Sequence, residues 1–320
     1  MLRYKGSLAA PTMTLSGGHF LGVEDCSRQE WLNLLQLAGA LKRGDTRLPV
    51  PGTVKVLGLL FSKPSTRTRV SFTVAMARLG GQTLDLPPSS TQEGRGEPIA
   101  DTARVLSRYV DALAIRTFDQ EDLEAYARAS TIPVINALSD MEHPCQVIAD
   151  FLTLQECFSG LDGLTMAYVG DGNNVAHSLL LAAALLGVHL RVATPRRYEP
   201  DAAVVQRAQR LSRGRCIVTV LHDPVEACRG AQAVYTDVWS SMGQEAAAQQ
   251  RRRDFAGYCL NTNLLSHAAR DAVVLHCLPA HRGEEISNEV LEGPASRVFL
   301  QAENRLYGQQ ALLALLLDLA

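Results

Sequence analysis

The feature that most constrains this chain is a recurrence: a short apolar run, then a polar turn, then a segment with helical spacing of apolar residues. Val54 to Phe61, Gln82 to Leu86, Asp111 to Arg116 and Pro133 to Leu138 read as strands in the first half. Leu164 to Gly170, Leu190 to Thr194, Ile217 to Leu221, Ala233 to Val238 and Val273 to Leu278 continue the series in the second. Short apolar runs separated by helices are the pattern of strands buried on both faces, so the expected fold is α/β, with a central parallel sheet covered by helices on both faces. The length of 320 residues suggests two such domains. The series restarts after His143, which places the boundary in the helix that follows it.

Glu24 to Leu41 has helical spacing, with Trp31, Leu34, Leu35, Leu37 and Leu41 on one side. A helix opening at Pro98 runs to about Tyr109, Gln120 to Ala129 and Val147 to Leu154 are helical, and Val175 to Leu186 is a very apolar helix. A terminal helix covers Leu306 to Leu319, with Arg305 at its start.

Composition bears on partners. A formal charge of −2 gives no electrostatic footprint for nucleic acid or an anionic membrane, so an anion site must be a local cluster. The 7 cysteines include no C-x-x-C pair, which argues for a reducing compartment and against a disulfide framework or a zinc knuckle. No apolar run approaches membrane-spanning length. The first twenty residues lack acids and carry Arg3, Lys5 and several hydroxyls, as organelle transit peptides do. An alternative start near Met13 is the plainer reading, and a cytoplasmic protein is expected.

Where strands end, the chain carries chemistry. Ser65-Thr66-Arg67-Thr68-Arg69 lies between the first strand and a helical segment ending at Gly80-Gly81. The first N–H groups of a helix are free and its dipole is positive there, which favours an anion. The hydroxyls and both guanidinium groups add donors matched to phosphate oxygens. A phosphate cradle is expected, against the plainer reading of a capped helix with two surface arginines. Arg116 ends another strand, as either a surface charge or a group on the same edge. His143 precedes Pro144, which suits a first helical position, so His143 is either a helix cap or a pocket residue, with Gln146 in the first turn.

In the second half, Gly170-Asp171-Gly172 lacks the third glycine of a dinucleotide fingerprint, and no acid ends the following strand. Asp237 to Glu245 places a carboxylate, hydroxyls and a glycine on a loop that could serve as a lid. For Cys277 three readings compete. It could be a nucleophile, although the adjacent His276 should face the opposite side of the strand; it could join His276 and His281 in a metal site; or it could be a polar substrate contact. Residue types alone favour the last. Gln92 sits in the long polar loop from Pro87 to Gly96.

Taken in order, Ser65-Thr66-Arg67-Thr68-Arg69, His143-Pro144-Cys145-Gln146, Gly170 to Asn174, Asp237 to Gly243 and His276-Cys277-Leu278-Pro279 resemble the aspartate/ornithine transcarbamylase family, its ornithine branch in particular. The resemblance runs from about Gly18 to the C-terminus. It implies a carbamoyl-phosphate domain (1–145 with the terminal helix 303–320) and an ornithine domain (146–302). Ser65, Thr66, Arg67 and Thr68 would hold phosphate; Arg116, His143 and Gln146 the carbamoyl end, assisted by Arg305. Cys277 and Leu278 would lie where the substrates meet, with Arg116, His143 and Cys277 the catalytic set, and Asn174, Asp237, Ser241 and Met242 would bind ornithine. Gln92 would reach a neighbouring subunit's site, implying a homotrimer or a multiple of it. No cofactor or metal is implied. The chain departs from the family pattern where Ser62 and Thr73 stand for glutamates, a change expected to raise the local positive potential unless Glu93 restores a charge.

Overall fold

The computed structural model describes residues 18–87, 96–158, 160–240 and 248–320. Among these residues nine strands form two parallel sheets, as expected. The first contains β1 (Val56–Phe61), β2 (Gln82–Asp85), β3 (Ala112–Arg116) and β4 (Val134–Leu138) in the order β2-β1-β3-β4. The second contains β5 (Thr165–Val169), β6 (His189–Ala193), β7 (Val218–Leu221), β8 (Ala233–Thr236) and β9 (Val273–His276) in the order β7-β6-β5-β8-β9.

The helices of the first half are α1 (Arg28–Arg43), α2 (Thr66–Arg78), α3 (Ile99–Leu106), α4 (Gln120–Ala129) and α5 (Pro144–Cys157). Those of the second are α6 (Asn174–Leu186), α7 (Ala202–Ser212), α8 (Pro224–Cys228), α9 (Ala248–Asp254), α10 (Thr262–Leu265), α11 (Asn288–Leu291) and α12 (Val298–Leu316).

Strand alternation divides the core. In β1, Leu57, Leu59 and Phe61 face a large core shared with α1, α2, α5, α6 and α12, whereas Leu60 joins Leu113, Ile115 and Val134 under α3 and α4. In β5, Met166 and Tyr168 face the shared core, while Ala167 and Val169 face a second cluster under α8, α10 and α11. Helix α6 is buried along its whole length, as an all-round apolar helix must be. The terminal helix α12 packs on α1, α2 and α5, so the chain end returns to the first sheet's side.

Apolar spacing misplaced several helix ends, and polar caps decide the starts of α1 and α2. Helix α1 starts at Arg28 rather than Glu24, because Ser27 accepts the Glu30 N–H while Glu30 reaches back to Ser27; Glu24 falls in a preceding 3₁₀ turn. Ser65 caps α2, which starts at Thr66. Helix α3 ends at Leu106, short of Tyr109. Helix α12 starts at Val298, so Arg305 lies two turns inside it rather than at its start. No helix among the described residues is long and apolar enough to cross a membrane.

Candidate active site

Parallel pairing puts the strand ends in line. Phe61 is level with Arg116, and Arg116 with Leu138, at the C-terminal edge of the first sheet. Val169 is level with Ala193 and Thr236, and Thr236 with His276, at the C-terminal edge of the second. Strand order reverses between β1 and β3 and between β5 and β8, and open α/β sheets bind ligands at such points. A cavity of about 950 Å³ lies there, lined by Ser65, Thr66, Arg67, Arg116 and His143 from one edge and by Asn174, Asp237, Cys277 and Leu278 from the other. Arg305 of α12 also lines it.

The phosphate side is a cluster of buried donors. Arg116 is buried, and its guanidinium is pushed down to about 10 by burial and by the charges of Arg305 and Arg67. Arg305 Nη2 donates to Thr68 Oγ1 and to His143 Nε2, each at 2.9 Å. A guanidinium only donates, so Nε2 must accept and His143 carries its proton on Nδ1. Burial, then Arg305 and Arg116, hold the His143 imidazole well below its usual range, which keeps it neutral. Arg116 Nε, Arg305 Nε and His143 Nδ1 have no hydrogen-bond partner among the described residues. No ion pair among those residues involves Arg67, Arg116 or Arg305. Buried donors without acceptors, around cations without carboxylates, form a receptacle for an anion.

Two expectations are corrected here. Arg69 is not part of the cradle: it pairs with Asp85 of β2 and lies over the Phe61 ring, turned away because successive helical residues point about 100° apart. His143 stands at the helix cap position but makes no capping bond with its side chain, which faces Arg305 instead. Ser65 does cap its helix, accepting the Thr68 N–H at 3.2 Å. Thr73 Oγ1 lies 3.3 Å from Thr83 Oγ1, a hydroxyl pair on the outer side of α2, and Ser62 is exposed with its N–H on the Arg116 carbonyl.

The opposite wall is organised by Asp237. Its Oδ1 accepts the Cys277 thiol at 2.8 Å and the Val238 N–H at 2.8 Å, and its Oδ2 accepts Asn173 Nδ2 at 2.9 Å. Burial and the Asp237 carboxylate push the Cys277 thiol well above its usual value, so it is a protonated donor rather than a nucleophilic thiolate. His276 Nδ1 accepts the Leu278 N–H at 2.9 Å, leaving Nε2–H for Glu285 at 3.1 Å. Both ring nitrogens are thus engaged, but one of them lies within 4.8 Å of the Cys277 sulfur and of the Asp237 carboxylate, so His276 does not turn away from Cys277 as strand alternation predicts; β9 ends at His276, and Cys277 lies beyond it. The grouping of His276, Cys277 and His281 is not assembled: His281 clusters with Glu284 and Glu285, and Cys277 with Asp237 and His276.

Asn174 lines the cavity and donates to the Ser139 carbonyl at 2.6 Å, tying α6 to the loop before His143. Gln146 lies off the main cavity. It borders an adjoining cavity of about 340 Å³ between α2 and α12 that shares Thr66, Arg67, Cys277 and Arg305 with the first. The Gly170-Asp171-Gly172 turn does not present open space for a pyrophosphate, because the 198–200 backbone packs on Gly172, whose N–H donates to the Tyr198 carbonyl at 2.8 Å. Gln92, Glu93, Ser241 and Met242 lie outside the described residues.

Among the cavity residues that sequence reading did not assign to the site, Lys63 and Arg251 carry charge into it. Lys63, buried with its Nζ 3.9 Å from the Phe118 ring centroid, adds a fourth cation beside Arg116; its place just after β1 was the available signal. Arg251 pairs with Asp171 and stacks 4.7 Å from the Tyr198 ring. It belongs to an Arg251-Arg252-Arg253 run that reads as a solvated helix face, so nothing in the sequence marked it.

Residues 18–156 match the family described as aspartate/ornithine carbamoyltransferase, carbamoyl-P binding domain, and residues 162–316 match its Asp/Orn binding domain. The ornithine carbamoyltransferase of Parasynechococcus marenigrum is 58% identical over 310 residues, 97% of each chain. That of Thermosynechococcus vestitus is 60% identical over 304 residues, 95% of this chain and 97% of the relative. Among solved structures, ornithine carbamoyltransferase from Gloeobacter violaceus superimposes with a TM-score of 0.86 at 54% identity, covering 94% of this chain and 98% of that one. The enzyme from Pyrococcus furiosus gives 0.90 at 48% identity, covering 94% and 97%. The chain belongs to the aspartate/ornithine carbamoyltransferase family.

Proposed function

We propose that this protein transfers the carbamoyl group of carbamoyl phosphate to the side-chain amine of L-ornithine, giving L-citrulline and phosphate. The observation that carries the reading is the opposition of two walls. Exposed Arg67 and buried Arg116 and Arg305, cations without an ion pair among the described residues, face the hydrogen-bonded Asp237 and Cys277 across one cavity. Phosphate occupies the cradle of Ser65, Thr66, Arg67 and Thr68. The carbamoyl oxygen faces Arg116 and His143, with Gln146 at the amide end. Asp237 pairs with the α-ammonium of ornithine, and Asn174, Ser241 and Met242 complete that subsite.

The ornithine side-chain amine has an unperturbed pKa near that of lysine, about 10.4, and must lose its proton to expose a lone pair. Its nitrogen attacks the carbonyl carbon, and the tetrahedral oxygen takes up negative charge that Arg116, His143 and Thr68 stabilise. The bond between the carbonyl carbon and the bridging oxygen then breaks, phosphate leaves with the bonding electrons into the arginine cradle, and its freed oxygen takes the proton that the attacking nitrogen must shed to become the urea-type nitrogen of citrulline. The protonated Cys277 thiol orients the amine and forms no covalent bond to the carbamoyl group.

The division at residues 145/146, with 303–320 returned to the first domain, is supported by the packing of α12 on α1, α2 and α5. A cytoplasmic, trimeric enzyme with Gln92 in a neighbouring site is part of the same proposal. Seven free cysteines suit a reducing compartment. Exposed Leu84 on edge strand β2, and Val105 and Tyr109 in and after α3, suit an interface.

The test is a citrulline-type assay comparing ornithine, putrescine, acetylornithine and aspartate as acceptors. Saturation by ornithine with little turnover of the others is expected. Comparable rates with putrescine would move the substrate class to simple diamines, and background turnover with every acceptor would leave a carbamoyl-phosphate-binding protein.

A further inference from the structure

Behind both substrate walls lies a carboxylate that no step of this chemistry uses. Asp150 on α5 is fully buried, and its Oδ1 accepts two amide donors, Gln146 Nε2 at 2.7 Å and Gln301 Nε2 at 2.6 Å. Gln301, on α12, is equally buried; its Nε2 also reaches Tyr235 Oη at 3.2 Å, and its Oε1 accepts the His276 N–H at 2.9 Å. Asp150 thus stands between Gln146, beside the cradle, and the end of β9 from which Cys277 projects.

We propose that Asp150 is a positioning residue that fixes which way the Gln146 and Gln301 amides point, and so makes Gln146 a reader of the carbamoyl NH₂. The inference rests on the carbamoyl-transfer reading of the cavity. The two ends of a glutamine amide have nearly the same shape and differ only in hydrogen bonding. An oxygen that only accepts compels the NH₂ end to face it, which turns Oε1 to the opposite side. For Gln301 that oxygen meets the His276 N–H. For Gln146 it is free to accept from a ligand in the adjoining cavity, beside Thr66, Arg67 and Arg305. A carbamoyl NH₂ supplies such a donor, whereas the dianionic phosphoryl group of carbamoyl phosphate supplies none. An inverted amide would present a donor there and favour phosphate over carbamoyl phosphate.

Protonation does not undo the arrangement. Burial pushes the Asp150 carboxyl up to about 7, against the pull of Gln146, Gln301 and Arg305. Tyr235 also holds that value down, and because Oδ2 has no hydrogen-bond partner among the described residues, a proton taken up there would leave Oδ1 accepting from both amides.

The test uses the full chain and two ligands measured by calorimetry: inorganic phosphate, and phosphonoacetamide, a stable analogue that keeps the carbamoyl NH₂. Asp150→Leu should bind phosphate within about threefold of the parent but lose about tenfold or more for phosphonoacetamide, the cost of a misdirected buried amide. Gln146→Leu should show the same loss, and the double variant no more than either single one. Gln301→Leu should leave phosphonoacetamide binding intact while raising the KM for ornithine. Asp150→Asn, which keeps an accepting oxygen, should restore discrimination to within about threefold of the parent, and it tests the idea even if Asp150→Leu does not fold. Equal losses for both ligands in Asp150→Leu, additive losses in the double variant, or lost discrimination in Asp150→Asn would each overturn the assignment while citrulline formation by the parent stands. A parent that makes no citrulline and binds no phosphonoacetamide would overturn the carbamoyl-transfer reading itself.

Discussion

Cys277 and Asp237 show how one hydrogen bond decides between chemistries. A thiol that donates to a carboxylate 2.8 Å away is disfavoured as a thiolate by that charge as well as by burial. Cys277 lines the cavity, so access is not what limits its reactivity. At pH 7.5, iodoacetamide should therefore leave Cys277 unlabelled over a period that fully labels a free thiol control, as read by peptide mass mapping; rapid labelling there would mean an activated nucleophile. Across the cavity the roles separate by substrate. Asp237→Asn should raise the KM for ornithine about tenfold or more while leaving that for carbamoyl phosphate unchanged. Arg116→Ala should lower kcat by about 10²–10³, the range for loss of one donor to a developing oxyanion. Steady-state kinetics with each substrate varied in turn distinguishes the two, and a uniform loss in both variants would mean neither role is specific.

The elements supply these residues through junctions that tolerate little change. Between β5 and α6, a Cβ on Gly172 would meet Pro200, Glu199 and Tyr198 backbone atoms, none of which is a flexible side-chain end. Gly172→Ala should thus cost about 1–3 kcal/mol, the range for overpacking, and raise the KM for ornithine by shifting the 198–200 segment that borders the cavity. Thermal unfolding combined with kinetics checks both, and an unaffected KM would show that the segment moves independently of the site. Between β4 and α5, Glu142 accepts the Val23 N–H and the Ser178 hydroxyl, each at 3.0 Å, and Ser178 Oγ in turn accepts the His143 N–H at 2.9 Å. Burial, aided by Asp25, pushes the Glu142 carboxyl from its ordinary 4.5 up to about 7, against the pull of Val23 and Ser178. The native state then holds a proton that the unfolded chain has lost between those values. This contribution is fully present below about 4.5 and is lost as pH rises through about 7. Glu142→Gln removes the titration, so its stability relative to the parent should improve from pH 4.5 to pH 8 in denaturant melts. A constant difference across that range would show that Glu142 is ionised throughout.

At the scale of the molecule, function depends on two parallel sheets presenting their C-terminal edges to one cavity. A single compound joining a phosphonoacetyl group to the side-chain nitrogen of ornithine should raise the unfolding temperature by more than phosphonoacetamide or ornithine alone at equal saturation; no gain over either half would mean that the two walls bind separately. Much of this was legible in the sequence. Buried parallel strands declare themselves by apolar runs, and the groups that follow them, Ser65 to Arg67, Arg116, His143, Asp237 and Cys277, line one cavity because strand direction assigns every C-terminal end to one edge, whereas Thr68 lies buried behind them, held by Arg305. Capping is also local, and it was read at Ser65 but overlooked at Ser27. The chain could not by itself tell Arg67 from Arg69, two neighbours in one motif: Asp85 on the adjacent strand takes one and leaves the other to the cavity. It could not pair Arg251 with Asp171, 80 residues apart, or show that Asp150 holds Gln146 and Gln301, 151 residues apart from the latter, from behind. Backbone propensity and strand polarity act over a few residues and are written in order along the chain. The partner of a buried charge is chosen by which side chains packing brings within about 3 Å, and that selection exists only once the two sheets and α12 have come together.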